Sequence, residues 1–294
     1  MAPDLKRLAT AAAIDRVRLD VGSLQARHAR AATTLRDAGF RAFSQWDEDG
    51  IIQWLLARVP IEREVFVEFG VQDYREANTR FLLEHDNWRG LILDSGASHL
   101  GYLRDTELMW RHWIDARSAF ITRENINELL EPVAGDIGLL SIDIDGTDYW
   151  IWEAISVVQP RLAIVEYNSI FGPDRAVTVP YEAAFDRAAA HFSRLYFGAS
   201  IAALAALGSR KGYRLVGSNR AGNNAFFVRD DVAGALRALT AAEAWVESRF
   251  RESRSESGQL SYVGAHRDRL ALIADLPLVD LERAATVRVG DLVG

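Results

Sequence analysis

The segment EVFVEFGVQDYREANTRFLLEHDNWRGLILD, Glu64–Asp94, decides how this chain folds. It contains an apolar strand, a turn with an acid and a glycine, a helical stretch, and a second apolar strand that ends in an acid. The run Val65–Val71 is too apolar for a half-exposed strand and is typical of a parallel strand covered on both faces. The segment therefore predicts a βαβ unit at the centre of a parallel sheet.

The composition of the chain excludes several classes of protein. The 294 residues include 49% hydrophobic residues and no cysteine, and the formal net charge is −7. Phosphate binding needs a concentrated basic surface, so we expect no nucleic-acid partner. No run of about 18 apolar residues is present, so we expect no membrane span, and the first residues lack an apolar signal core. These features predict a soluble, cytoplasmic protein without disulfide bonds.

Strands and helices continue to alternate beyond this segment, which is typical of an α/β fold. A turn-rich loop, SNRAGNN, separates the last two strands and makes the final one antiparallel. We predict a Rossmann-like, doubly wound, mostly parallel seven-stranded sheet with an antiparallel last strand. The strands are expected at Val65–Val71, Leu91–Asp94, His112–Ala116, Gly138–Asp145, Arg161–Asn168, Tyr213–Gly217 and Ala225–Arg229.

Helical extensions are predicted on both sides of this sheet. The segment from Asp4 to Ala38 is rich in alanine, leucine and arginine and predicts one or two helices. The part from Asp231 predicts two amphipathic helices with a loop at Arg251–Gln259, and its last residues show no pattern that assigns a structure. We therefore divide the chain into an N-terminal helical extension (1–43), a central α/β domain (44–230) and a C-terminal helical extension (231–294). The N-terminal helix is expected to pack on the domain or to form the contact of a homodimer.

Polar residues lie where the five strands of the parallel series end. Ligands of open parallel sheets bind beyond the carboxyl ends of the strands, so these residues are candidates for a binding site. In strand order they are Glu68, Gly70 and Asp73, then Asp94, then Asp115, then Asp143 and Asp145, and finally Glu166 and Asn168.

The turn after the first strand favours a cofactor without phosphates. A pyrophosphate-binding turn has the pattern G-x-G-x-x-G, and here only Gly70 is present. That glycine lets the backbone approach a ligand closely, and the carboxylate of Glu68 can accept hydrogen bonds from an ammonium group or from hydroxyls. Asp94 is placed to accept hydrogen bonds from both hydroxyls of a ribose.

Four motifs, SQWDEDG, VEFGVQD followed by NT, WRGLILD and SIDIDGTDYWIWEAI, resemble those of the FkbM-like methyltransferases. These are class I S-adenosylmethionine-dependent methyltransferases that often methylate hydroxyls of sugars or natural products. The resemblance covers about Ser44–Arg229 and implies a methyltransferase-like domain over 44–230. It implies O-methylation of a small-molecule acceptor.

The resemblance also implies which residues bind S-adenosylmethionine. Glu68 and Gly70 would lie at the methionine portion, Asp94 at the ribose and Asp115 at the adenine. The full set of implied cofactor-binding residues is Glu68, Gly70, Asp73, Asn78, Thr79, Asp94, Ser95 and Asp115. The chain departs from the family at Tyr74, where glycine is usual, and this departure bears on the shape of the loop.

The fourth and fifth strands predict a place for chemistry. Asp143 and Asp145 point the same way because side chains alternate along a strand, and Glu166 and Asn168 on the adjacent strand can reach the same crevice. Such oxygen ligands suit Mg²⁺, so Asp143, Glu166 and Asn168 are candidate metal ligands. The metal would lower the pKa of the acceptor hydroxyl and orient it. Alternatively, these acids bind the acceptor directly or cap the helix that begins near Tyr149.

Without a metal, the reaction requires a base. Asp143 and Asp145 are candidate catalytic residues, and His191 lies after the fifth strand, where such enzymes build the acceptor site. A neutral imidazole can accept a proton near pH 7. A structural role beside Phe192 is the alternative for this histidine.

Two other functions remain open at this point. The sequence SIDIDGTDY also resembles the D-x-D-G-T signature of haloacid dehalogenase-like phosphatases, with Asp143 as nucleophile and Asp145 as acid and base. That alternative would use Lys211 for phosphate and Asp230 with Asp231 for Mg²⁺. A non-catalytic Rossmann-like binding protein is the third possibility. The missing glycines disfavour a dehydrogenase.

Overall fold

The computed structural model describes residues 5–104, 106–248 and 252–292. Its strands are β1 Val65–Phe69, β2 Arg89–Asp94, β3 Ile114–Ser118, β4 Gly135–Ile142, β5 Val158–Glu166, β6 Val177–Thr178, β7 Tyr213–Ser218, β8 Asn224–Arg229, β9 Pro277–Asp280 and β10 Ala285–Arg288. Its α-helices are α1 Leu5–Ala31, α2 Leu35–Ala38, α3 Glu48–Leu56, α4 Arg80–Glu84, α5 Gly101–Arg104, α6 Leu108–Arg111, α7 Ile126–Leu130, α8 Asp148–Ala154, α9 Arg187–Ala190, α10 Ile201–Arg210, α11 Ala241–Ala244 and α12 His266–Leu272. Short 3₁₀ turns lie at Glu131–Val133, Ser169–Phe171 and Val289–Leu292.

Seven of the strands form one sheet in the order β3-β2-β1-β4-β5-β8-β7. Strands β1 to β5 pair in parallel, whereas β8 is antiparallel to both β5 and β7. The predicted Rossmann-like fold, with a mostly parallel sheet and an antiparallel last strand, is therefore confirmed. The order reverses at β1, which has β2 on one side and β4 on the other. Such a reversal leaves a crevice at the carboxyl ends of the strands, where ligands bind.

Both faces of this sheet are covered, which explains why its strands are apolar throughout. Two consecutive residues of β1, Phe66 and Val67, belong to two separate apolar clusters. One cluster contains residues of α1, α3 and α4, and the other contains residues of α7, α8 and α10. Because side chains of a strand alternate between faces, a sheet buried on both sides needs apolar residues at nearly every position.

The N-terminal segment forms the long helix α1 and the short helix α2, in agreement with the prediction of one or two helices. Its first predicted residue, Asp4, lies outside the described residues. Ala26 and Ala29 of α1 are buried against the domain. The same helix also carries exposed aliphatic side chains at Ile14, Val17, Val21 and Leu24.

The C-terminal part differs from the two amphipathic helices that the sequence predicted. The described residues contain the short helices α11 and α12, and they are followed by the hairpin β9-β10. Strand β9 also pairs with β6 of the central segment, which gives a second, three-stranded sheet. Alternating apolar residues in a segment this short did not distinguish strand from helix. The division of the chain at residue 230 stays a prediction.

Among the described residues, none of the helices combines the length and the apolar character that crossing a membrane would require.

Candidate functional site

A cleft runs along the carboxyl ends of the central strands. Its larger part, which we call the main cavity, has a volume of about 350 Å³ and lies beyond β1, β4 and β5. A neighbouring side cavity of about 200 Å³ lies beyond β1 and β2. Gly70, Gln72, Asp143 and Asp145 line both cavities, so the two form one continuous cleft. Its position is the crevice that the reversal of strand order predicts.

Gly70 forms the turn between the two cavities. Its φ angle of +71° lies in the left-handed region, and a Cβ atom at this position would lie 1.7 Å from the carbonyl oxygen of Asp143. Its backbone N–H donates to the carbonyl oxygen of Leu93 at 3.0 Å. Both the conformation and the close approach therefore require glycine here.

Glu68 holds the loop that follows this turn. Its carboxylate accepts hydrogen bonds from the backbone N–H of Asn78 at 2.8 Å and of Thr79 at 3.0 Å, and from the hydroxyl of Thr79. Burial raises the pKa of Glu68 to about 7, against the opposing effect of these three donors. The structure thus brings together Glu68, Asn78 and Thr79, and the Asn78 side chain lines the main cavity beside them.

Asp94 holds the loops around the side cavity. Its carboxylate accepts hydrogen bonds from the backbone N–H groups of Gln72 and Gly96, each at 2.8 Å. Nδ1 of His99 lies 2.6 Å from the same carboxylate. Ser95, His99 and the half-exposed Phe120 also line this cavity. Asp94, predicted at the ribose, and Ser95, predicted as a cofactor-binding residue, therefore line the cleft, and His99 covers one oxygen of the Asp94 carboxylate.

Three carboxylates meet in the main cavity. Oxygen atoms of Asp143, Asp145 and Glu166 all lie within 4.8 Å of one another. Burial, and then the neighbouring carboxylates, raise the pKa values of Asp143 and Glu166 well above their usual range. The guanidinium of Arg187 lies 2.6 Å from Asp145. At neutral pH such a group holds a proton or a cation, because like charges this close do not all stay ionised without one.

Several polar atoms of residues that line the main cavity are buried without a hydrogen-bond partner among the residues the structure describes. They include two acceptors, Oε2 of Glu166 and Oδ1 of Asn224, and two donors, Nε1 of Trp46 and Nη2 of Arg187. Glu166 and Asn224 face each other across the β5-β8 ladder. Buried polar groups almost always have partners, so these atoms indicate a place where a polar ligand or water binds.

Three predicted cofactor residues do not line the cleft. Thr79 is fully buried behind it, where its hydroxyl donates to Glu68. Asp73 is half-buried, and its carboxylate lies 3.3 Å from the guanidinium of Arg75. Asp115 pairs in register with Leu91, three residues before the end of β3, and its carboxylate lies 2.6 Å from Arg117. The sequence did not show where β3 ends. Asp115 was therefore predicted at the carboxyl end of the strand, whereas the structure places it nearer the start.

Two residues that the sequence predicted for the acceptor region form hydrogen bonds with other parts of the chain instead. The amide of Asn168 donates to the carbonyl oxygens of Leu195 and Phe197 at 2.9 and 3.0 Å, so it closes a loop instead of joining the carboxylates. His191 makes a 2.7 Å hydrogen bond with the Ser193 hydroxyl and does not line either cavity. Burial lowers the pKa of His191.

The sequence did not single out Arg187, Asn224 or Trp46 as cleft residues. The sequence did contain one indication that these residues lie together. The segments SQWDEDG and SNRAGNN are both rich in polar side chains, which can form hydrogen bonds with one another. Glu48 of the first segment accepts hydrogen bonds from Asn219 and Asn224 of the second at 2.6 and 2.9 Å. This pairing places the indole of Trp46 and the amide of Asn224 beside the main cavity.

The residues of the phosphatase alternative are separated in space. Lys211 donates to the carbonyl oxygen of Ile155 at 2.7 Å, at the C-terminal end of α8. Asp230 and Asp231 follow the antiparallel strand β8, so they lie at the edge of the sheet opposite to Asp143 and Asp145. They pair there with arginines of β7 and β8. The structure therefore does not support this alternative.

Comparisons with known proteins give only distant likenesses. No family model and no curated protein matches the chain. Among solved structures, the CurJ carbon methyltransferase is similar over 62% of this chain and 52% of that chain, with 9% sequence identity and a TM-score of 0.40. The pyocyanin biosynthetic protein PhzM is similar over 62% of this chain and 58% of that chain, with 13% identity and a TM-score of 0.34. The chain thus spans little more than half the length of either protein.

Proposed function

We propose that this chain is an S-adenosylmethionine-dependent methyltransferase. The observation that carries the proposal is the acidic cleft at the reversal of strand order, with a single glycine turn at its centre. The main cavity is lined by six acids, Glu68, Glu76, Asp143, Asp145, Glu166 and Glu252, and among the described residues by one basic side chain, Arg187. Such a cleft attracts a cationic ligand and repels the two phosphates of a dinucleotide.

The residues of the cleft fit this cofactor. When bound, S-adenosylmethionine supplies an electrophilic methyl group on a positively charged sulfur. Asp94 accepts three hydrogen bonds in this structure, and a carboxylate has about four acceptor positions, so it can still bind a ribose hydroxyl. The loop from Gly70 to Asn78, which Glu68 holds, would bind the methionine portion. Phe120 offers an apolar ring for the base in the side cavity.

We further propose that the acceptor is a hydroxyl of a sugar or natural product, as in FkbM-like enzymes. A hydroxyl both donates and accepts, and the main cavity offers atoms of both kinds that have no partner among the described residues, at Trp46, Arg187, Asn224 and Glu166. Without a bound metal, the ionised form of Asp143 would take the proton, because a raised pKa makes a carboxylate a stronger base. Catalysis would then come largely from positioning the hydroxyl in line with the methyl group.

Mg²⁺ would be held by Asp143, Asp145 and Glu166 in this proposal. Asp145 takes the place that the sequence gave to Asn168, since the Asn168 amide is already bonded to backbone. A divalent ion there would polarise the acceptor hydroxyl. Arg187 already pairs with Asp145 and would compete with the ion for it.

The remaining predictions from the sequence are kept as proposals. A chain without cysteine needs no oxidising compartment, which favours the cytoplasm. The exposed aliphatic residues of α1, with spacings of three, four and three, would meet those of a second copy in the predicted homodimer. No nucleic acid or membrane is expected as a partner.

Calorimetry with S-adenosylmethionine and S-adenosylhomocysteine tests the cofactor. The wild type should bind both, and Asp94→Ala should weaken binding at least tenfold. Asp115→Ala is the matched control, since it removes an acid of the neighbouring strand that lies outside the cleft. If the wild type binds neither compound, the function proposed here is wrong. Binding without transfer to any hydroxylated acceptor would favour a non-catalytic binding protein.

A further inference from the structure

We infer that Tyr74 is a positioning residue that acts through Thr79 on Glu68 and so fixes the cofactor loop. This loop comprises Gly70–Asn78 and lines the main cavity with six of its residues, Gly70, Val71, Gln72, Glu76, Ala77 and Asn78. The inference rests on the proposed function, because it assigns a role in binding S-adenosylmethionine to a residue that does not touch the cavity.

The three side chains form a chain of hydrogen bonds with one direction. The Thr79 hydroxyl donates its single hydrogen to Oε2 of Glu68, so it must accept at its other contact. That contact is the Tyr74 hydroxyl, at 3.0 Å. Burial and the charge of Glu68 raise the pKa of Tyr74 well above its usual range, so the phenol keeps its proton and donates it. The donors therefore run from Tyr74 to Thr79 to Glu68.

Tyr74 also anchors the backbone of the loop. Its φ angle of +60° is left-handed, which is unfavourable for a residue with a side chain. Its ring is fully buried in the apolar cluster beside α3 and α4, and its N–H donates to the carbonyl oxygen of Val71 at 2.8 Å. Burial of the ring offsets the strain. A glycine would adopt this conformation easily, but it would supply neither the ring nor the hydroxyl.

The consequence concerns the end of the loop that carries Asn78. Glu68 binds the backbone N–H of Asn78, and the Asn78 side chain donates to the Ser141 hydroxyl at 3.1 Å on neighbouring β4. Any movement of the Glu68 carboxylate therefore displaces a residue that lines the cavity. Tyr74 and Thr79 limit this movement, although neither lines the main cavity.

A double-mutant cycle on S-adenosylhomocysteine affinity tests this inference. Tyr74→Phe removes only the hydroxyl, and we expect a loss of about fivefold, as for one buried hydrogen bond. Thr79→Val should lose at least as much, and Thr79→Ser should restore most of it because the hydroxyl returns. Adding Tyr74→Phe to Thr79→Val should cause almost no further loss, because the chain is already broken.

Tyr213→Phe is the matched control. Its buried hydroxyl donates to the carbonyl oxygen of Pro160 at 2.7 Å, at the amino edge of the sheet and away from the cleft. It should lower the free energy of unfolding by a similar amount and leave the affinity unchanged.

Two results would overturn the inference: additive losses of affinity in the cycle, or unchanged affinity in both Tyr74→Phe and Thr79→Val. In either case, binding by the wild type would still support the proposed function. If Tyr74→Phe does not fold, the comparison of Thr79→Val with Thr79→Ser still decides. Absence of wild-type binding overturns both.

Discussion

Gly70 and Asp143 are in backbone contact across the cleft, so that a methyl group on Gly70 would lie 1.7 Å from the Asp143 carbonyl oxygen. This contact joins the turn after β1 to the turn after β4, on either side of the point where the strand order reverses. The boundary between the two cavities is therefore formed by backbone atoms. The two turns can approach this closely only because Gly70 has no side chain.

Replacing Gly70 tests this contact. Gly70→Ala should abolish measurable binding of S-adenosylhomocysteine and destabilise the fold, because the new methyl group separates the two turns. Gly212→Ala is the control, since Gly212 has a φ angle of +80° and, apart from its chain neighbours, no atom of the described residues would lie within 4 Å of the new Cβ. It should cost only the backbone strain of about 1–2 kcal/mol and leave binding intact. Urea unfolding and calorimetry measure both effects, and equal behaviour of the two variants would contradict this account of the turn.

His99 competes with a ligand for Asp94. Nδ1 of His99 lies 2.6 Å from the carboxylate, and the His99 side chain is 48% exposed, so it can move away at little cost. We expect His99→Ala to bind S-adenosylhomocysteine about fivefold more tightly, because one hydrogen bond no longer has to be broken. His112→Ala, outside the cleft, should have no effect. Weaker binding by His99→Ala would show instead that the imidazole contacts the cofactor.

The fold could be predicted because each strand and helix of the main sheet is indicated by a short stretch of the sequence itself. Apolar runs such as Val65–Phe69, separated by helical stretches, indicate a parallel sheet covered on both faces, and the seven strands and their antiparallel end follow from that pattern. The hairpin β9-β10 was missed, since strands of four residues do not show a clear period. Its pairing with β6, about 100 residues earlier in the chain, has no local signal.

The site was predictable in part. Glu68, Gly70, Asp94, Asp143 and Glu166 line the cleft because they lie at or next to the carboxyl ends of parallel strands, and those ends share one edge of the sheet. Arg187 and Asn224 reach the same cavity from a helix and from the antiparallel strand, which depends on how distant segments pack. The same dependence explains why Asn168 and His191 are engaged elsewhere.

The buried carboxyl of Asp49 predicts a pH dependence of stability. Burial raises the pKa of Asp49 to about 6, although the N–H groups of Ala42, Phe43 and Ser44 oppose this. Between about pH 4 and pH 6 the folded state keeps a proton that the unfolded state has released. The free energy of unfolding therefore falls as the pH rises through this window, by about 3 kcal/mol from this group at most.

Urea unfolding at several pH values tests that expectation. Asp49→Asn cannot titrate, so its free energy of unfolding should fall less steeply between pH 4 and pH 6 than that of the wild type. The variant should keep part of the pH dependence of the free energy of unfolding, because burial also raises the pKa values of Glu68 and Asp148, to about 7 and about 6. Asp115→Asn serves as the control and should follow the wild-type curve. Parallel curves for Asp49→Asn and the wild type would contradict the assignment to Asp49.

The three carboxylates of the main cavity predict binding of Mg²⁺ near neutral pH. Burial, and then the neighbouring carboxylates, raise the pKa values of Asp143 and Glu166, so a divalent ion that binds here would favour their ionised forms and release protons. Calorimetry should show Mg²⁺ binding by the wild type, at least tenfold weaker binding by Glu166→Gln, and tighter binding by Arg187→Gln, which removes the cation that pairs with Asp145. Asp231→Asn is the control, because Asp231 lies at the opposite edge of the sheet and would bind metal only in the phosphatase alternative. If Glu166→Gln binds Mg²⁺ as tightly as the wild type does, Glu166 is not a metal ligand and the three carboxylates do not form the proposed site.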